Sequence, residues 1–168
     1  MLAALAIAAV LGGSPDLSPG VELAAQACLA SAGDAQKLAE IAAEQGWRRL
    51  EASRAEALRD GTGAPVSEAA YAAPGGLVHI EDYRVTVLCS IHFRGHLPTT
   101  QAEIEGWVIG DRPLGPPTMV QPSLTNALVT DWRNQFWAVT RAGVAAVNFS
   151  NDPEGSRSII ELSFPKAR

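Results

Sequence analysis

The run YRVTVLCSIHFR, residues 83–94, sorts its side chains into two sets with a period of two. Tyr83, Val85, Val87, Cys89, Ile91 and Phe93 alternate with Arg84, Thr86, Leu88, Ser90, His92 and Arg94. Only an extended strand gathers such sets on opposite faces, so this stretch commits the chain to a sheet with one apolar face and turns Cys89 toward the core. The last third repeats the signal. Residues 135–141, 144–149 and 158–164 read as strands, separated by Ala142-Gly143 and by Asn151-Asp152-Pro153-Glu154-Gly155, both rich in turn-forming residues. Ile160, Leu162 and Phe164 alternate with Ile159, Glu161 and Ser163, as in an antiparallel sheet covered on one side.

The first third is helical in pattern. Val21, Ala24, Ala25, Cys28 and Leu29 fall at helical spacing, which places Cys28 on an inner face, and Gly33 ends that segment. Asp34 has the chemistry to cap a second helix, AQKLAEIAAEQ, with Leu38, Ile41, Ala42 and Gln45 as its stripe and Gly46 as its stop. Residues 48–60 read as a short exposed helix, and 61–76 as a Gly/Ala/Pro-rich surface connection with one helical turn at Ser67–Tyr71. Leu77–Ile80 could form a short strand that turns at Glu81-Asp82. Thr100 and Glu103 have the spacing of a capping box for a further helix on Ile104, Trp107 and Val108. The predicted fold is α+β, with N-terminal helices packed on one face of a four- to five-stranded antiparallel meander, as a single domain over 21–168.

The chain opens MLAALAIAAVLG, an uncharged apolar run whose Gly12 begins a Gly-Gly-Ser-Pro stretch. Such a run is too short for the roughly 20 helical residues that cross a bilayer. It has the length and trailing small residues of a signal peptide, although no Lys or Arg precedes it; a buried or tethering helix is the alternative. Residues 1–20 are therefore read as a signal peptide or N-terminal apolar helix plus linker, and the expected location is periplasmic or secreted. In an oxidising compartment the two cysteines, Cys28 and Cys89, would pair, closing a loop of about 60 residues worth about 3–4 kcal/mol and fastening helix to strand. In a reducing one they would be inert buried thiols.

The segment CLASAGDAQKLAEIAAEQGWRRL, from Cys28, resembles the start of small exported bacterial proteins that carry a cysteine, an alanine-rich helix and a Gly-Trp ending. It covers about a seventh of the chain. The resemblance is structural: it implies export and a partner for Cys28, and no activity.

A net charge of −5, with arginines scattered singly or in pairs, argues against nucleic acid as a partner. There is no G-x-S-x-G, no phosphate-binding glycine pattern and no zinc-ligand spacing, so no catalytic residue and no cofactor is assigned. His79, His92 and His96 fall within eighteen residues and are the candidates for metal or acid–base chemistry. If His79 lies on a strand paired with that of His92, the two can meet near Glu81 or Asp82 and hold a metal or flank Ser90. Trp132 and Trp137 bracket an amide-rich segment with Arg133 and Asn134; with the proline-rich loop Asp111–Asn126 it would form a binding groove, although core packing accounts for at least one tryptophan. The expected function is that of a non-catalytic binding or envelope-accessory protein whose partner is a protein or envelope component, with membrane contact only if the N-terminal segment stays uncleaved. A hydrolase or metal-dependent enzyme built on the histidines is the alternative.

Overall fold

Residues 86–93 of the expected 83–94 run form a strand, with Val87, Cys89, Ile91 and Phe93 buried in the apolar core, whereas Tyr83 and Val85 lie in the turn before it and Val85 is 73% exposed. The computed structural model describes residues 18–59, 63–94, 97–122, 133–152 and 157–166, so the expectations for the opening apolar run, His96 and Trp132 lie outside the described residues. In chain order the elements are α1 (Pro19–Ala24), which continues into a π-helical turn (Ala25–Leu29), α2 (Ala35–Glu44), β1 (Arg48–Arg49) and α3 (Ala52–Glu56). There follow β2 (Ser67–Ala73), β3 (Gly76–Asp82), β4 (Thr86–Phe93), α4 (Leu97–Glu105), β5 (Val108–Ile109) and β6 (Arg112–Pro113). The chain then forms β7 (Met119–Pro122), β8 (Arg133–Arg141), β9 (Val144–Asn151) and β10 (Ser158–Pro165).

The expected four- to five-stranded meander with helices packed on it is wrong. Eight strands form one antiparallel sheet in the order β1-β2-β3-β4-β10-β9-β8-β7, and the helices are few and short. The extra strands come from segments whose composition hides them. SEAAYAA has little β-propensity of its own, but β2 is paired on both sides, with β1 and β3, and pairing overrides a preference that spans only about 1 kcal/mol. Met119–Pro122 escapes notice because of its proline, which an edge strand tolerates. The order is not a simple meander either: β10 leaves its hairpin with β9 and pairs along β4, bringing Ile160 opposite Ile91 and Leu162 opposite Cys89.

Two further local expectations are corrected. Glu81-Asp82 belongs to β3, and the chain reverses instead at 83–85. Thr100 lies inside α4 rather than capping it, and Glu103 accepts hydrogen bonds from the backbone N–H and hydroxyl of Ser18, which ties α4 to the start of α1. Asp34, by contrast, caps α2 as its chemistry demands, accepting from the N–H groups of Gln36 and Lys37 at 2.8 and 3.0 Å.

One sheet face is dry. Ile80, Cys89, Leu162, Val147 and Trp137 form a cross-strand row on it, and Val21, Leu23, Ala24, Ala27, Cys28 and Leu38 from the N-terminal helices share its core. Cys28 and Cys89 are joined by a disulfide with Cα atoms 5.5 Å apart, so the helical segment is covalently fastened to a central strand. Among the described residues no helix is long and apolar enough to cross a membrane.

Candidate functional site

The opposite face is where polar groups collect. Its central row reads Ala70, His79, Ser90, Glu161, Asn148 and Phe136 across β2, β3, β4, β10, β9 and β8. The β2–β3 hairpin sets the register. Pro74 and Gly75 are its two turn residues, and Gly75 takes φ +94°, which favours glycine. This turn places Glu68 opposite Glu81, with His79 two residues before Glu81 on the same face.

Although this is the polar side of the sheet, His79 is fully buried, Glu81 is 4% exposed and Ser90 3% exposed. Beyond α3, which lies against β2, the chain brings Arg59 onto Glu68. The Arg59 Nε donates to Glu68 Oε2 at 2.8 Å, and the guanidinium makes a second bond to Oε1. That fork holds the Glu68 carboxyl below the usual range, against burial, which pushes it up. His79 Nε2 meets Glu68 Oε2 at 3.3 Å, and because a carboxylate only accepts, this nitrogen carries the proton. Its Nδ1 lies 3.8 Å from Glu81 Oε2 and has no hydrogen-bond partner among the described residues. Tyr83 donates its hydroxyl to Glu81 Oε1 at 2.9 Å; burial, and then this contact with a carboxylate, push the phenol up to about 12.

Along the same face His92 follows Ser90, whose Oγ lies 3.3 Å from His92 Nε2, and the His92 ring centroid is 6.5 Å from that of His79. Burial, with smaller contributions from His79 and Arg157, pushes the His92 imidazole down to about 4, so it is neutral near pH 7. The pair is a hydroxyl beside a neutral imidazole. Among the described residues it lacks the rest of a nucleophilic triad: Ser90 is closed to solvent, and His92 Nδ1 has no partner there to orient the ring.

His92 also lines a cavity of about 500 Å³ at the end of the sheet, together with Pro19, Gly75, Gly76, Phe93, Arg94, Arg157 and Ser158. The glycines are required here: a Cβ on Gly75 would lie 2.9 Å from that of Pro19, and one on Gly76 would lie 2.6 Å from the His92 carbonyl oxygen. Among the described residues the lining holds two arginines and a histidine but no Asp or Glu.

The structure thus brings His79, His92, Ser90 and Glu81 together as the paired-strand reading anticipated, whereas the aromatic groove fares differently. Trp137 is 1% exposed, and its indole N–H donates to the Gly115 carbonyl at 2.9 Å. It is a core residue that anchors the proline-rich segment, not a ligand platform. Asn134 accepts from the Ser150 hydroxyl across β8 and β9, and Arg133 begins β8. Sequence reasoning passed over Arg59, Glu68 and Tyr83. The signal available was the Pro-Gly-Gly turn at 74–76, which makes residues 67–73 and 76–82 partners and carries Glu68 to Glu81. No family model, no curated protein and no solved structure matches the chain.

Proposed function

We propose that the chain is a small exported binding protein that takes up an organic anion at the end of its sheet, in the cavity lined by His92, Arg94 and Arg157. The observation that carries this reading is the composition of that lining. In a chain of net charge −5, the residues lining this cavity include two arginines and, among the described residues, no Asp or Glu. Guanidinium groups suit the planar, bidentate geometry of a carboxylate or phosphate. Pro19 and Phe93 add apolar wall, so the matching ligand carries its charge on an apolar body. His92, neutral at pH 7, offers one donor and one acceptor without adding charge.

Export is supported by the disulfide, a bond at home in oxidising compartments, and by the apolar opening run. In that setting the ligand would be a component of the periplasm or of the secreted medium, and the absence of an oriented nucleophile favours capture over turnover. Titration with benzoate and with inorganic phosphate, followed by calorimetry and amide chemical shifts, tests the assignment. Benzoate should shift residues 75–76, 92–94 and 157–158, and Arg94→Ala/Arg157→Ala should abolish the effect. Failure of both probes to bind, or equal binding by the double variant, would refute it.

A further inference from the structure

We propose that Glu68, His79 and Glu81 form a binding site for one first-row divalent cation, of the zinc or manganese type, distinct from the cavity and independent of its assignment. The three residues are placed by register rather than by a flexible loop: Glu68 and Glu81 face each other across β2 and β3, and His79 precedes Glu81 by two positions on one strand face. One donor atom from each lies within 4.8 Å of the others. Bonds of about 2.0–2.2 Å to a common ion would bring such atoms to roughly 3–4 Å; because Nε2 faces Glu68 and Nδ1 faces Glu81, closure also needs the imidazole to turn so that one nitrogen meets an ion held between the two carboxylates.

Two observations beyond the clustering point to a ligand. First, among the described residues the Nδ1 atom of the fully buried His79 has no hydrogen-bond partner, and it stands beside Glu81 Oε2. A buried nitrogen without a partner costs about 1–3 kcal/mol, and coordination or a proton shared with a bound group would relieve it. Second, the charges do not balance. Two carboxyl groups, one 4% and the other 13% exposed, face a single guanidinium among the described residues, that of Arg59. A cation between the two carboxyl groups would offset the excess of acidic groups.

The remaining partners have the form of an outer shell. Arg59 holds Glu68 by a two-point fork, and Tyr83 donates to Glu81. Each carboxylate oxygen has two lone-pair sites, so both residues can keep these bonds while ligating. Outer partners of this kind orient ligating carboxylates in metal sites. One imidazole and two carboxylates are a mixed nitrogen and oxygen set that suits zinc or manganese better than calcium.

The test uses the whole chain, stripped with a chelator and titrated with Zn2+ by calorimetry and with Co2+ by visible absorption. One equivalent should bind, Zn2+ should raise the melting temperature, and X-ray absorption on the wild-type zinc form should report a single imidazole among oxygen ligands. Glu81→Gln and His79→Gln should each weaken binding by more than the roughly 10- to 100-fold that loss of an outer partner costs. Because buried substitutions can impair folding, each variant is first matched to the wild type by circular dichroism, and the absorption measurement needs no variant at all. Absence of stoichiometric binding by the wild type, or undiminished binding by the folded variants, overturns the proposal. Neither outcome bears on benzoate capture, which is read at other residues.

Discussion

Removing the Cys28–Cys89 bond should cost about 4 kcal/mol, and the cost should appear in full when either cysteine is replaced alone. The bond joins residues 61 positions apart. For a loop of that length the chain-entropy relation gives a loss of about 14 cal/mol/K on crosslinking the unfolded chain, or about 4 kcal/mol at 25 °C. That is a large part of the 5–15 kcal/mol by which folded domains usually outlast their unfolded states. Both half-cystines are fully buried, so Cys→Ala also deletes packed sulfur. A double-mutant cycle separates the two effects. Cys28→Ala and Cys89→Ala each break the same bond, so the double variant should fall short of the sum of the singles by about 4 kcal/mol. Urea unfolding followed by tryptophan fluorescence measures this. With an m-value of about 2 kcal/mol/M, each single variant should lose roughly 2 M in midpoint. Dithiothreitol added to the native protein should reduce the bond no faster than the chain unfolds. Additive single and double variants, or single shifts under about 1 kcal/mol, would refute the argument that this bond fastens the helical segment to the sheet.

His92 makes stability depend on pH: its folded value of about 4 lies below its ordinary 6.5, so the unfolded chain takes up the proton first. Stability should therefore be complete above pH 6.5 and fall toward pH 4, by at most about 3 kcal/mol, and urea midpoints for His92→Gln should be flatter through that window. Glu68, held low chiefly by Arg59, should add a further loss only below the ordinary carboxylate range, visible as a second acid step that Arg59→Gln reduces. Trp137→Phe should cost about 1–3 kcal/mol through the orphaned Gly115 carbonyl while leaving benzoate binding at wild-type strength, as calorimetry would show. Gly33→Ala should destabilise by about 2–5 kcal/mol, because φ is +77° and the new Cβ would lie 2.6 Å from Phe164 Cγ. Gly46→Ala, at φ +68° with open space around it, should lose only about 1–2 kcal/mol, so thermal melts of the pair isolate the clash.

Alternation was informative wherever large apolar side chains marked one face, as at 86–93 and 158–165, because burial forces those side chains inward whatever the neighbouring strands are. It was silent at 67–73. There Ala69, Ala70, Ala72 and Ala73 carry almost no hydrophobic contrast, and the strand exists through its partners. Losing that strand hid Glu68, one of the three residues of the Glu68, His79 and Glu81 cluster. The disulfide was legible because only two cysteines were available and each sat on an inward face of its own element. Trp137 misled because aromatic residues next to prolines and amides look alike whether they serve a ligand or the core. The carbonyl that receives its N–H lies 22 residues away, a relation local patterning does not contain.

The placement of β10 bears on how the molecule is made. Strands β2, β3 and β4 can associate as soon as they exist, and so can β8 and β9, but the two groups of strands join only when β10 settles between β4 and β9. Until Ser158–Pro165 has left the ribosome, neither group has its full set of hydrogen bonds and the core lacks Ile160, Leu162 and Phe164. The core is thus closed by the strand that follows all the other described ones, and the two groups of strands wait on it.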